Sequence, residues 1–539
     1  MNIAAAFIDI ARERGRHTAI IEAKSGREIS FLGMNQLSDG YCRHLQRQGV
    51  RAGEVVMLMV TPSIDFICLT LALFKLGAVI VLIDPGMGYR NLLRCIARVE
   101  PTVLVGIPKA ILFAKVFRRT FATVRRSFCL GGSFGLLGPD LRRAGADCDG
   151  AVVHPSTADA LAAIIFTTGS TGPPKGVRYE HGIFNAQRQL IGDFYGIGTT
   201  DIDQPAFPLF ALFSAALGAC SVIPDMDPTR PAQVDPRRFV ASILRYGVTY
   251  SFGSPAIWNV VSTYCCAQGV SLPTLNKILM AGAPVPYAVL ERTRGLLGPR
   301  AEIHTPYGAT ESLPVASITS SEVLAETMQQ SRNGAGTCVG RALPGIEIRI
   351  MEISDEPQAV LRQETLLPPG QIGEIIVRGG VVTRAYHNNP EETSLAKMAD
   401  GETFWHRMGD VGYLDEQGRL WFCGRRAHRL ETVRGRMFTI PCEAIVNEHP
   451  QVFRSALVGV RDGGGETVPV MIVELQPGKA VDGSRVVTEA LQLCAAHQLT
   501  RHIRTVLIHP AFPVDIRHNA KIFREKLSLW AQRQLFPQR

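Results

Sequence analysis

The chain has 539 residues, 46% of them hydrophobic and 19% charged, with a formal net charge of +9. That length supports roughly two to four domains with sizeable cores, and the ordinary charged fraction with no long polar tract excludes a disordered chain. The positive charge suits an anionic substrate, a membrane surface or nucleic acid, and the lack of zinc-finger spacing or an aromatic-interleaved basic patch argues against nucleic acid.

Asp9, Arg12, Glu13 and Arg14 precede any long apolar run, so no signal peptide is expected at the N-terminus. Val55–Val60, Val79–Ile83 and Thr102–Gly106 are short apolar runs of the kind found in buried parallel strands. Between the first two lies a helical pattern over Ser63–Leu76, and Asp84-Pro85-Gly86 then breaks the chain. Lys109–Phe128 holds six basic residues and no acidic one. Its residues Phe113, Phe117, Phe121, Val124 and Phe128 would form one stripe of a helix, with Lys115, Arg118, Arg119 and Arg125 at the sides or opposite. Such a helix could lie at an interface, touching a membrane or a partner protein, or keep its aromatic face in the protein's own core.

The next segment is the most informative. Ile164–Gly176 reads I-I-F-T-T-G-S-T-G-P-P-K-G, with Leu161–Phe166 as a buried strand that delivers a loop. Glycines Gly169 and Gly172 let backbone N–H groups approach an anion. Thr167, Thr168, Ser170 and Thr171 add hydroxyl donors, and Lys175 adds a positive charge. It is not a Walker A loop, because two prolines precede the lysine and glycine follows it. A surface linker is the plainer reading of such a composition, and the apolar flank argues against it.

Strand-like runs continue at Ser221–Pro224, Tyr250–Ser254, Lys277–Ala281 and Glu302–Thr305, which makes an α/β architecture with sites at strand ends. Past Ser331, Ile346–Met351 and Ile372–Arg378 read as antiparallel strands, with a small β-barrel expected there. Beyond Gly424 a smaller α+β unit is expected, with strands Ala456–Val460 and Val468–Glu474 and a helix over Val487–Gln498. The twelve cysteines are scattered in apolar settings without a C-x-x-C. Neither a disulfide framework nor a metal site is signalled, and a reducing, cytoplasmic compartment is expected. No stretch approaches about 18 uncharged apolar residues, so the chain is not expected to span a membrane.

Together with several motifs downstream in the chain, the loop Thr167–Gly176 resembles the phosphate loop of the AMP-forming acyl- and aryl-adenylating enzymes. That family includes fatty acid CoA ligases, peptide-synthetase adenylation domains and firefly luciferase. Ala281-Gly282-Ala283-Pro284 is similar to the family's adenine-side segment. Tyr307-Gly308-Ala309-Thr310-Glu311 is similar to its aromatic-Gly-x-Thr-Glu element, in which the aromatic ring stacks near adenine, the threonine contacts phosphate and the glutamate helps to hold Mg²⁺. Asp410 falls at the aspartate that grips the ribose hydroxyls, and Arg425 at the ribose-contacting arginine of the domain junction. His518–Arg524 resembles the loop whose lysine reaches the carboxylate and α-phosphate, which makes Lys521 the adenylation lysine.

The resemblance implies ATP and Mg²⁺ as cofactors. It also implies an N-terminal adenylation region, 1–424, and a mobile C-terminal domain, 425–539. Charge growing on the transferring phosphoryl oxygens would be offset by Lys521, Lys175, the loop donors and Mg²⁺ on Glu311.

Three departures narrow the reaction. In Phe207-Pro208-Leu209-Phe210-Ala211-Leu212-Phe213, Ala211 stands where many CoA ligases carry a histidine, leaving an apolar setting suited to a long acyl group. Ala427 replaces the usual aspartate or lysine of the hinge, and Glu431–Gly435 fits the family spacing as if one residue were inserted. With Val177–His181, this pattern resembles the β-lactone synthetases of bacterial long-chain olefin biosynthesis. That resemblance implies adenylation of a 2-alkyl-3-hydroxyalkanoic acid, ring closure by its own hydroxyl, and an assembly with other enzymes of the pathway. His181 is a candidate for taking the hydroxyl proton, with a structural hydrogen bond as its alternative. A long-chain fatty acid CoA ligase and a non-catalytic scaffold are the competing readings.

Overall fold

The computed structural model describes residues 1–132, 137–142, 150, 152–167, 173–478, 482–515 and 521–536. The six-stranded sheet runs in the order Arg126–Cys129, Val103–Gly106, Val55–Met59, Val79–Leu82, Leu161–Phe166, Gly176–Glu180. All neighbours are parallel except the last pair, which is antiparallel. The helix Ile64–Leu76 packs on one face. Ser63 Oγ accepts from Phe66 N–H at its start, and Gly77 takes the left-handed conformation at its end (φ 77°). Every residue from Phe66 to Leu76 is buried, including Lys75, whose ammonium is held by Asp39 at 2.7 Å and by Ser38 and Asn35. Tyr89–Val99 and Pro108–Val116 cover the other face with Leu92, Cys95, Ile96, Val99 and Ile111.

The long helix expected over 109–128 is absent. The helix stops at Val116, and the chain turns before entering the strand Arg126–Cys129. Phe113, Phe117 and Val124 are half-buried against the sheet, while Phe121 and Phe128 are buried outright. The aromatic stripe belongs to the core. Thr120, Thr123 and Val124 are β-branched and weaken helix continuation there.

A seven-stranded sheet has the order Glu302–His304, Lys277–Met280, Tyr250–Gly253, Ile202–Asp203, Cys220–Ile223, Thr18–Glu22, Glu28–Ser30. It is parallel up to its final antiparallel pair, so the strands Tyr250–Gly253, Lys277–Met280 and Glu302–His304 release their chains at one edge. The third sheet is antiparallel and has eight strands. It runs from Tyr307–Ala309 through Ser312–Ser317, Thr337–Ala342, Leu420–Arg425, Thr403–Leu414 and Gly373–Gly379 to Ile346–Met351, with Lys397–Asp400 on a branch. Ile346–Met351 and Gly373–Gly379 pair antiparallel as expected. Among the described residues the two end strands are not paired with each other, so the path is open and no closed barrel is seen.

Val452–Arg461, Thr467–Leu475 and Val506–Ile508 form a separate three-stranded sheet. Helices Thr439–Asn447, Gly483–Ala496 and Arg524–Leu535 accompany it. Its two core clusters draw only on residues from Leu430 to Ala531. The irregular Glu431–Gly435 stretch is a tight hairpin that pairs Leu430–Thr432 with Gly435–Met437. No helix among the described residues is long and apolar enough to cross a membrane. Eleven cysteines are described, and most of them are buried.

Candidate functional site

Leu161–Phe166 and Gly176–Glu180 are the two arms of a hairpin, and the glycine-rich loop is its tip. Thr167 N–H donates to Lys175 O at 3.0 Å, and Lys175 N–H donates to Thr167 Oγ1 at 3.3 Å, closing the loop at its base. Thr168, Gly169, Ser170, Thr171 and Gly172 lie outside the described residues. The ammonium of Lys175 is 2.5 Å from Glu392 Oε2 and 5.3 Å from the centre of the Tyr386 ring.

Residues from the loops between strands of the third sheet complete this end of the hairpin. Arg178 N–H donates to Ala385 O and His387 N–H to Gly176 O, so residues 385–387 run beside Gly176–Glu180. Tyr386 OH donates to Glu311 Oε1 at 2.7 Å. The Glu311 carbonyl accepts from both N–H and Oγ1 of Thr383, and Tyr179 OH donates to the Thr310 carbonyl at 2.6 Å. Gly308 lies in the same turn. A Cβ there would come within 2.6 Å of Ser312 O, which leaves room for glycine alone. Lys397 is half-buried nearby with its ammonium on Thr383 O, and desolvation lowers its pKa to about 7.

The Tyr307–Glu311 element is joined to the two ribose candidates. Asp410 and Arg425 face each other in register across adjacent strands, with Arg425 Nη1 2.7 Å from Asp410 Oδ1. Tyr307 OH donates to Asp410 Oδ2 at 2.6 Å. Burial pushes the Asp410 carboxyl upward against the opposing pull of Arg425, and it pushes the Tyr307 phenol well up. Both oxygens of Asp410 therefore have donors. Gly282, at a positive φ of 97°, follows the strand Lys277–Met280 at the sheet edge that also releases the chain towards Tyr307. Gly282 and Pro284 are exposed there and Ala283 is half-buried.

At the end of the neighbouring strand Tyr250–Gly253, Phe252 stacks on Phe210 with ring centres 3.8 Å apart and 12° between planes. Phe207 and Phe213 sit 5.9 and 5.8 Å from Phe210. Phe213 is half-buried in the core and Phe207 remains exposed, while Ala211 is fully buried and opens onto no free wall. Under these rings Ser214 Oγ donates to Asp203 Oδ2 at 2.6 Å and lies 2.5 Å from Tyr250 OH. Asp203 is fully buried, its Oδ1 lacks a hydrogen-bond partner, and burial raises its pKa to about 8.

Two sequence candidates lie apart from this cluster. His181 starts the helix His181–Tyr195 at the far end of Gly176–Glu180, ~15 Å along the strand from the loop. Its Nδ1 accepts from Ile3 N–H at 3.3 Å, its ring meets Phe74 edge-on, and burial lowers its pKa to about 4. This hydrogen bond is the one given above as the alternative to a role in proton transfer. Lys521 lies in the C-terminal unit, where its carbonyl accepts from Asp515 N–H beside the Val514–Ile522 bridge; residues 516–520 lie outside the described set.

Sequence reading missed Tyr386, Glu392 and Lys397. The segment did carry a signal, since Asn389-Pro390-Glu391-Glu392 has the cap, proline and acidic first turn of a helix start. Asn389 Oδ1 indeed accepts from Glu392 N–H.

Residues 7–387 match the family model described as AMP-binding enzyme. The olefin beta-lactone synthetase of Stenotrophomonas maltophilia (strain K279a) is 44% identical over 553 residues, covering 99% of this chain and 98% of its own. That of Xanthomonas campestris pv. campestris is 44% identical over 554 residues, with the same coverage of 99% and 98%. The amide bond synthetase McbA from Marinactinospora thermotolerans superposes with a TM-score of 0.80 at 22% identity, over 98% of this chain and 100% of that one, which speaks for the fold. The chain belongs to the AMP-binding enzyme family and is an AMP-forming, acyl-adenylating enzyme closely related to the olefin beta-lactone synthetases.

Proposed function

We propose that the protein adenylates a long-chain 2-alkyl-3-hydroxyalkanoic acid and closes it to a β-lactone, releasing pyrophosphate and AMP. The observation that carries this reading is 44% identity along essentially the whole chain to two relatives named for that activity. The carboxylate oxygen attacks the α-phosphorus of ATP, and the bond to pyrophosphate breaks. The substrate's β-hydroxyl oxygen then attacks the activated carbonyl carbon, loses its proton, and AMP leaves. Holding hydroxyl and carbonyl in line makes the second step unimolecular, an advantage a close-fitting pocket can supply.

In this reading the hairpin loop and Lys175 hold the phosphates, so ATP must draw Lys175 away from Glu392. Gly282–Pro284 and Tyr307 flank adenine. Asp410 and Arg425 receive the ribose, the diol displacing one of the donors now on Asp410. Among the described residues no group of three or more His, Cys, Asp or Glu side chains is placed to hold a metal ion. A single carboxylate suits Mg²⁺, which completes its shell with water and substrate phosphates, so Glu311 fits that use. Mg²⁺ held there would screen the phosphate charge.

Phe207, Phe210 and Phe252 offer an apolar wall for the alkyl chains. Residues 425–539 act as a mobile domain that carries Lys521 to the α-phosphate, a division supported by their separate core. His181 takes no part. Enzymes that supply the hydroxy acid and consume the lactone are its expected neighbours.

The test is product identity. The protein is incubated with Mg-ATP and a racemic 2-alkyl-3-hydroxyalkanoic acid, with and without CoA, and the product is read by NMR and mass spectrometry. Acid minus water with lactone ring protons, formed equally without CoA, is expected. Acyl-CoA formed only when CoA is present would overturn the proposal.

A further inference from the structure

The outer side of the six-stranded sheet carries a charge pattern that the adenylation reading does not use. The helix Tyr89–Val99 turns Leu92, Cys95, Ile96 and Val99 to the sheet and places Arg90, Arg94 and Arg98, four residues apart, along its outer face. Beside it, the cations Lys109, Lys115, Arg118, Arg119 and Arg125 continue the run. From residue 89 to residue 125 the one acidic residue is Glu100. Among these cations stand three exposed apolar side chains: Tyr89, Leu112 at 51% and Val116 at 75% exposure. Leu112 and Val116 are four apart on the helix Pro108–Val116 and share a face.

This face adjoins the nucleotide site, since Asn388, two residues beyond Tyr386, donates through Nδ2 to the Arg98 carbonyl at 3.2 Å. Dense cations attract anionic headgroups, while isolated aliphatic tips among them suit shallow burial at the headgroup–acyl boundary.

We propose that the face formed by Tyr89–Val99 and Pro108–Arg125 docks the enzyme on an anionic lipid bilayer. The lipid, rather than an acidic protein, is favoured because Leu112 and Val116 project as a small exposed aliphatic pair among the cations. The proposal also rests on the proposed substrate, whose alkyl chains partition into bilayers and would be met at their source.

The experiment is sedimentation with phosphatidylcholine vesicles, with and without phosphatidylglycerol, across a salt series. The intact chain should pellet with the anionic vesicles at low salt and be released as salt rises. The Arg90→Glu/Arg94→Glu/Arg98→Glu variant should lose at least tenfold in partitioning. Leu112→Ser/Val116→Ser should lose severalfold while keeping the salt dependence. Circular dichroism should be unchanged in both, and ATP binding should be unchanged in Leu112→Ser/Val116→Ser, which alters no charge.

An intact chain that stays in the supernatant, or a charge-reversed variant that binds as well, would overturn the proposal. Retention on a polyglutamate resin without vesicle binding would also overturn it, in favour of an acidic protein partner. Vesicle binding needs no turnover, so a chain that binds lipid but makes acyl-CoA would sink the lactone reading and leave this surface standing.

Discussion

Replacing His181 with asparagine separates a structural role from a chemical one. In the fold its ring is 1% exposed, with Nδ1 accepting from Ile3 N–H and its pKa lowered from 6.5 to about 4 by burial, with smaller contributions from the N-terminal amine and His154. The unfolded chain therefore binds a proton here more readily than the folded one. This contribution to stability is complete above about pH 6.5 and is lost as pH falls through 4. The full difference is worth about 3 kcal/mol, and ~1.4 kcal/mol is already gone between pH 8 and pH 5.5.

Asparagine can accept from Ile3 but does not titrate. Urea midpoints of wild type and variant, followed from pH 8 to pH 5.5, should converge by that amount, because the wild type alone loses stability from this site. Lactone formation at pH 8 should remain within about threefold of wild type once the variant's folded fraction is matched, a rate difference under 1 kcal/mol. A folded His181→Asn variant that still forms adenylate but no lactone would refute the reasoning and return His181 to the chemistry.

Tyr307→Phe removes the donor to Asp410 Oδ2, a hydrogen bond to a buried charged group worth ~1.5–3 kcal/mol; KM for ATP should rise about tenfold or more while the acid's KM holds, and unchanged ATP kinetics would contradict this. Asp203→Asn should raise the melting temperature more at pH 8 than at pH 5. The wild-type carboxyl is held neutral in the fold up to about 8 and ionises freely when unfolded, so its stability falls by several kcal/mol across that range; a parallel pH profile would show otherwise. Lys521→Ala should bind ATP nearly normally and lose about 10²–10³ in adenylate formation, measured by acid-dependent pyrophosphate release, and a wild-type rate would end its assignment. Glu392→Ala should tighten ATP binding severalfold by freeing Lys175, and a weakened affinity would instead make Glu392 a support of the loop.

Elements with local signals were legible. Ser63 and Gly77 mark both ends of the helix Ile64–Leu76, and the apolar runs at 55, 79 and 103 are buried strands within a residue or two of their expected bounds. The return strand Gly176–Glu180 was not named, because its alternation is short and its partner is the strand on the other side of the loop. The aromatic spacing between Phe113 and Phe128 misled for a related reason. A helix, a turn and a strand can each point rings into one core, and periodicity does not distinguish them.

The motifs Tyr307–Glu311, Asp410 and Arg425 were found by resemblance, and the structure adds that they contact one another. What no local pattern could give is a pairing such as Tyr386 with Glu311, 75 residues apart in the chain.

The hairpin that bears the glycine-rich loop ends its sheet, and its outer edge is covered by residues 385–387, a loop segment that follows the strand Gly373–Gly379 of another sheet. For anyone dividing this polypeptide, the cut therefore matters more than fold boundaries suggest. A fragment ending near residue 370 would keep every strand of the six-stranded sheet yet leave Gly176–Glu180 with bare N–H and C=O groups, a template for adding strands from neighbouring molecules. Such a fragment should accumulate as aggregates. One that also keeps 385–387 and the strands through Arg425 should stay dispersed, so expression yield alone would report whether this borrowed segment is in place.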